Sequence, residues 1–538
     1  MVRAARGGRG IDLEPLLPWL SNITILDLKE NVVACAGARL LANSAHVKNV
    51  LVLDLLENVV GDEGAQLLAS SPHLSRLTML ELGGNEIGDE GVRALASSQC
   101  LGNLEVLGLG GNEIGDEGAK ALASSKRLNN LTKLDLKWND IEAEGVKALA
   151  TSRCLANLCV LNLDWNEIGS EGVSALAASK MCSNLIALAL EDVKMGDKGA
   201  KALANSPYLN KLETLVLGDN KIGEEGAKAL AGCPGLSRLT TLDLERNNVG
   251  AEGAKALAAS PHLNALSVLL LNVNNVGDEG AKALAASQHL TRLSTLDLNL
   301  NDIGSDGAEA LASSQCLTNF RKLDLSWNPL GSQGAAALAS SACLEGVVEL
   351  NLSTSQLGDE GVKALAASPH LGKLKVLGLH DNGIGPEGAK ALAKSACLDN
   401  LTVLDLELNL LGDEGADALA SSEHFKDLTK LVLESNQIGD EGVKALAASS
   451  SLNALSVLFL QNNGIGDEGA KALAASKHRA NLTWLGLRDN KIGDEGLKAL
   501  ALSEHLTNLV EFGCEGNPAG PQWAKAIALR LRKGLPSK

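Results

Sequence analysis

Aromatic residues are nearly absent from this chain: six tryptophans, four phenylalanines and one tyrosine among 538 residues, or 2%. A single globular core of that size built without rings would be unusual, although the 45% hydrophobic content is ordinary. Basic residues are in deficit too, since 48 Lys and Arg against 65 Asp and Glu leave a formal charge of −17. That balance excludes a general nucleic-acid binder, which must neutralise phosphates, and it disfavours adsorption to an anionic membrane. It favours a basic protein partner. No long uninterrupted apolar run marks a membrane span, and the ten cysteines include no CxxC pair. The opening segment "MVRAARGGRGIDLEPLLPWLSN" carries Arg3, Arg6 and Arg9, but Asp12, Glu14 and two prolines break its apolar run. No export signal is expected there, and a reducing, cytoplasmic location follows. Sequons such as Asn130-Leu-Thr and Asn481-Leu-Thr are then by-products of a pattern. A Walker lysine motif, HExxH and GxSxG are all missing, so neither an enzyme nor a cofactor is expected.

What the chain contains is one pattern repeated. Stepping by 27 from Asn31 reaches Asn517 in nineteen positions without an insertion or deletion; seventeen are Asn, and the exceptions are Val193 and Ser355. In "LTKLDLKWN", Leu134 and Leu136 alternate with Asp135 and Lys137, as a strand with one buried face requires. Asn139 is expected to turn inward and bond backbone groups that the turning chain leaves unpaired, so that stacked rungs carry a ladder of amides. "IGDEGAKALA" (Ile114–Ala123) predicts a helix. Asp116 is its expected N-cap and Glu117 favours the helix dipole, while Ala119, Leu122 and Ala123 form a narrow apolar stripe. Lys120 points outward, four residues from Asp116. Pro72, Pro207, Pro261 and Pro369 follow such helices and stop them.

Parallel strands stack about 4.8 Å apart whereas helices are about 10 Å wide, so the array must curve with its strands inside. No rung can bury its leucine face alone. The prediction is an α/β solenoid, horseshoe or superhelix, of nineteen 27-residue rungs. It has a concave parallel sheet and convex helices. Residues 1–22 and 518–538, which contain Trp19 and Trp523, read as caps on an array spanning 23–517. The L-x-x-L-x-L-x-x-N-x-I pattern and the "EGAKALA" helical half resemble leucine-rich repeat proteins of the ribonuclease-inhibitor-like class. NOD-like receptors, Ran GTPase-activating protein and bacterial GALA-type proteins carry such repeats. The resemblance implies a non-enzymatic recognition or scaffold protein, monomeric, that binds a protein partner on the strand face. Its uniform period and low cysteine content separate it from ribonuclease inhibitor itself, so nuclease binding is not expected. The alternatives are a GTPase-activating or other enzyme-regulating protein, with Arg246 as its arginine finger, or the sensor fragment of a larger receptor or effector.

Several motifs imitate chemistry. "GDEG" recurs at Gly61, Gly88, Gly115, Gly277, Gly358, Gly412, Gly439, Gly466 and Gly493, but its acids serve helix starts better than calcium. Eight of nine histidines (46, 73, 262, 289, 370, 424, 478 and 505) share one column, 15 residues after the ladder position, with Cys100, Cys154, Cys316, Cys343 and Cys397. A column makes a line, whereas metal ligands must converge on a point, and Arg127, Met181, Tyr208, Gly235 and Ser451 also occupy it. No metal is expected. Identity should reside where packing is silent: at the outward strand positions and the strand-end residue just before the ladder Asn. Trp138 and Trp165 occupy that strand end in adjacent rungs, amid Lys133, Asp135, Lys137, Asp164 and Glu167; this is the leading candidate contact site. Asp297, Asp324 and Trp327 form a second patch, and Phe459, Trp484 and Arg488 a third. Asp27, Glu30, Asp54, Glu57 and Glu81 make the first rungs acidic, whereas Phe320, Phe425 and Phe512 replace framework leucines and belong to the core.

Overall fold

The computed structural model describes residues 2–3, 13–520, 522, 523 and 525. The chain divides into two compact units, residues 1–269 and 270–538. Each is built from the same repeat, a three-residue strand, a turn, an α-helix of eight to ten residues and a return, and each has nine α-helices among the described residues. Strands pair in parallel at the 27-residue offset: Leu134 lies beside Leu161 in the first unit and Leu323 beside Leu350 in the second. Leu134 and Leu136 are fully buried and Asp135 between them is half-exposed, as the alternation predicts. A further strand, Val2–Arg3, pairs in parallel with Ile25–Asp27. The short helix Glu14–Asn22 buries Leu20, but Trp19 is 78% exposed and is not part of the cap's inner face. Most of the cap expected at 518–538 lies outside the described residues.

Polar ladders hold neighbouring rungs in phase. Asn85 Oδ1 accepts from the N–H groups of Asn58 (3.2 Å) and Val60 (3.0 Å), while its Nδ2 donates to the carbonyls of Leu55 and Gly83, both at 2.8 Å. Each amide therefore binds backbone of its own strand end and of the preceding turn, satisfying groups that burial would otherwise strand. Val193 offers no acceptor to the N–H groups of Asn166 and Ile168, and at Ser355 the hydroxyl reaches Leu325 O only at 3.4 Å. A second ladder had a visible signal, the serine of every "LAxS", but its role needed coordinates. Ser98 Oγ donates to Ala69 O (2.5 Å) at the end of the preceding helix and accepts the N–H of Cys100 at 3.1 Å.

The third ladder corrects the expected helix cap. Asp116 does not cap its own helix, which starts after Gly115 with no side-chain cap. Its Oδ1 instead accepts from Glu142 N–H (2.9 Å) and Gly145 N–H (2.8 Å) in the next rung. Lys120 correspondingly pairs with Glu117 at 2.7 Å rather than with Asp116. The trans cap decides backbone conformation. Where the preceding rung supplies Asp, as Asp89 does for Gly115, that glycine is extended (φ −99°, ψ −163°) and donates to the carboxylate at 2.8 Å. Where it does not, as at Gly61 and Gly169, the glycine turns to φ +65°. Its N–H then goes to the ladder carbonyl of the next rung, Asn85 or Val193, at 2.8 Å. Glycine allows both states without a Cβ penalty.

Candidate functional site: the strand face and its left-handed rim

The strand-end residue before each ladder position is left-handed in all nineteen rungs, from Glu30 (φ 58°) to Gly516 (φ 77°). Residue type does not cause this. The N–H at that position donates to the next rung: Trp138 to Asp164 O at 2.9 Å, Trp165 to Glu191 O at 2.7 Å, Trp327 to Ser353 O at 2.8 Å. The ladder thus holds the φ, and glycine, Asn or Asp would suit it best. Trp138 (φ 53°), Trp165 (φ 56°) and Trp327 (φ 56°) sit there instead. So do Val273, Leu300 and Leu408, at φ 57°, 51° and 54°. The last three belong to the same column, and the scarcity of rings that singles out the tryptophans does not single out these aliphatic residues. Val273, Leu300 and Trp327 occupy successive rungs of the second unit and make a short apolar ridge on its rim, with Leu300 and Trp327 about half exposed.

Trp138 and Trp165 stack face to face, with centroids 4.4 Å apart and planes within 7°. Trp138 is 53% exposed and Trp165 half-buried. Asp135 accepts from Lys137 N–H at 3.1 Å, which leaves the Lys137 side chain exposed beside the pair. Asp164 departs from expectation. It is buried, its Oδ1 accepts Glu191 N–H at 2.6 Å, and burial pushes its pKa up. It positions backbone and is not a free surface charge. Glu167 is paired with Lys194.

In the second patch Asp297 and Asp324 are register partners. Asp324 is committed locally, accepting from Ser326 N–H and from Asn351 Nδ2, both at 2.9 Å. Trp327 projects from the rim beyond them. In the third, Phe459 and Trp484 meet edge to face with centroids 4.9 Å apart, and Lys430 Nζ lies 5.5 Å from the Phe459 centroid. Arg488 is drawn away to Glu515, 2.6 Å distant. Among the acidic residues of the first rungs, Asp27 is buried, and desolvation raises the pKa of Glu81. Glu81 folds into the space that a side chain at Gly108 would fill. Phe320 and Phe425 are core, whereas Phe512 is half-buried. Arg246 is an exposed member of the left-handed rim.

The histidine column has a backbone role. The N–H at that position goes to the ladder serine, as in His262 to Ser260 Oγ at 3.2 Å, which explains why its side chains vary so freely. His424 pairs with Asp399 at 2.6 Å and His46 with Ser21 at 2.7 Å. Among the described residues no helix is long and apolar enough to cross a membrane.

A solenoid of strand–turn–helix rungs tied by an asparagine ladder is the architecture of leucine-rich repeats. The chain belongs to that family: the family profile described as "Leucine Rich repeat" matches segments running from 48–69 to 478–501 and together covering more than half of the sequence. No curated protein matched. Solved structures similar to the chain include a plant peptide hormone receptor, RGFR1, in complex with RGF2, at 17% identity, TM-score 0.42, covering 91% of this chain and 79% of that one. Another is the Arabidopsis receptor kinase HAESA ectodomain with an extended IDA peptide hormone, at 17% identity, TM-score 0.40, covering 87% and 70%.

Proposed function

We propose that this protein is a non-enzymatic recognition or scaffold protein, monomeric and cytoplasmic, that docks a partner protein on its strand face and left-handed rim. The limits 1–22, 23–517 and 518–538 for cap, array and cap belong to the same reading. The observation that carries it is the Trp138–Trp165 stack, with centroids 4.4 Å apart, standing on two left-handed residues. A left-handed bulky residue costs about 1–2 kcal/mol, and a stacked aromatic pair returns only about 0.5–1.5 kcal/mol beyond its buried area. Fold stability therefore does not account for two indoles where the two preceding rungs have Gly84 and Gly111. Partly exposed rings on a rigid support are what an interface uses as anchors, because little side-chain entropy is lost on binding. The net charge of −17 favours a basic partner, steered in by long-range attraction.

The test is affinity capture from the native lysate with the wild type and with Trp138→Ala/Trp165→Ala, after circular dichroism has shown equal folding. Captured proteins that depend on the indole pair are expected. Identical captures in kind and amount would refute the assignment. Should the alanine variant fold poorly, Trp138→Gly/Trp165→Gly relieves the backbone conformation while removing both rings.

A further inference from the structure

One histidine stands outside the post-helix column. His380 lies on the strand face of the second unit, two residues before Asn382. The next rung places Glu407 at the equivalent position and Asp405 two residues earlier, opposite Gly378 in the strand register. His380 Nδ1 is 3.6 Å from Glu407 Oε2. One donor atom from each of His380, Asp405 and Glu407 lies within 4.8 Å of the other two. Two ligands about 2.0–2.2 Å from a tetrahedral ion stand about 3.3–3.6 Å apart. The imidazole and the Glu407 carboxylate already span such an edge, and the third donor closes the gap by a side-chain rotation of about 1 Å.

The surroundings suit an ion as well as the spacing does. Asp405 is held in place through Oδ1, which accepts Glu407 N–H at 3.0 Å; its second oxygen is left for other partners. The side chains of His380 and Glu407 are 23% and 30% exposed, reachable yet partly shielded from water. A cavity of about 260 Å³ on the same strand face, lined by Asp324, Asn351, Ser353 and Asp405, borders the group through Asp405. Glu434 follows Glu407 in the column, so a further carboxyl group stands on the same strand face. Negative charge is thus gathered on a partly desolvated surface, where a cation gains most.

We propose that His380, Asp405 and Glu407 bind a divalent transition-metal ion of the zinc type. Imidazole selects such ions over calcium and magnesium, which prefer all-oxygen shells. Three protein ligands leave a coordination position open, which a carboxylate or imidazole of a protein docked on the strand face would complete.

Zinc chloride titrated into the reduced full-length protein by isothermal calorimetry tests this. The expected result is one equivalent bound by the wild type and by His370→Asn, which alters a post-helix histidine, but absent in His380→Asn. In Glu407→Gln the affinity falls by about tenfold or more. Magnesium chloride is expected to give no difference between wild type and His380→Asn. Cobalt(II) supplies a readout that does not depend on stability, a visible d–d band present in the wild type and altered in Glu407→Gln. Zinc isotherms that coincide for wild type and His380→Asn would overturn the site, since thiols or other histidines would then account for all binding. An equal magnesium response would overturn the choice of metal class.

Discussion

Arg479 offers the sharpest test of how this repeat is stabilised. It occupies the return position, sixteen residues after the ladder Asn, where the other rungs place Leu, Val, Cys or Phe. It is 1% exposed. Its two terminal nitrogens donate to Leu452 O (2.6 Å) and Ser449 O (2.5 Å), while Nε has no partner. Burial lowers its pKa well below the ordinary guanidinium range, to about 10. That fall corresponds to about 3 kcal/mol against the charged form, and the unpaired Nε adds about 1 kcal/mol or more. Replacement by leucine removes both penalties and contributes about 2 kcal/mol of apolar burial, against the loss of two charge-assisted bonds worth about 1.5–3 kcal/mol each. Arg479→Leu is therefore expected to stabilise the protein by about 1–2 kcal/mol at neutral pH, in the manner of buried charges exchanged for hydrophobic residues. The pH dependence has a definite sign. Above the folded value of about 10, and until the unfolded chain also loses this proton, the unfolded chain holds more protons, so the wild type gains stability as pH rises. The penalty is fully present below pH 10 or so, and the advantage of the leucine variant shrinks by about 1 kcal/mol by pH 11. Urea unfolding at pH 8 and pH 11, with hydrogen exchange on the peptides spanning 449–482, measures both quantities. A leucine variant less stable than wild type at pH 8, or an advantage unchanged at pH 11, would refute the reasoning.

Two further predictions concern the ladders. Val193→Asn restores the acceptor for Asn166 and Ile168 N–H and is expected to raise stability by about 1–3 kcal/mol; in the wild type these amides exchange earlier than their counterparts in the rungs at Asn85 and Asn112, and uniform protection would count against it. The trans cap predicts coupling between Asp89 and Gly115. Gly115→Ala alone is near neutral because its φ is −99°. Asp89→Ala costs about 1 kcal/mol and turns Gly115 left-handed, so the double variant loses an extra 1 kcal/mol or so. A double-mutant cycle by thermal unfolding checks this, and simple additivity would be the wrong result for the mechanism.

The 27-residue period, the inward leucines and the inward asparagine were legible without coordinates, because each is a local pattern repeated until chance is excluded. Membership of the leucine-rich repeat family followed from the same signal. The helix cap was misread for a physical reason. An aspartate at a helix start is ordinarily a local cap, and only the stacking of rungs shows that Asp116 reaches Glu142 and Gly145 of its neighbour. The candidate sites divide along the same line. That Trp138 and Trp165 are neighbours is a matter of counting, but their stacking at 4.4 Å and their left-handed backbone are not. Asp164 was placed on the correct face yet is buried, and Arg488 turns to Glu515 instead of the aromatic pair. His380 meets Asp405 and Glu407 across a strand pairing that no single rung contains. Sequence determined what each rung is made of, since propensity and periodicity act within one repeat. Tertiary structure decided what the side chains do, because the ladders of asparagine, serine and aspartate run from one rung to the next.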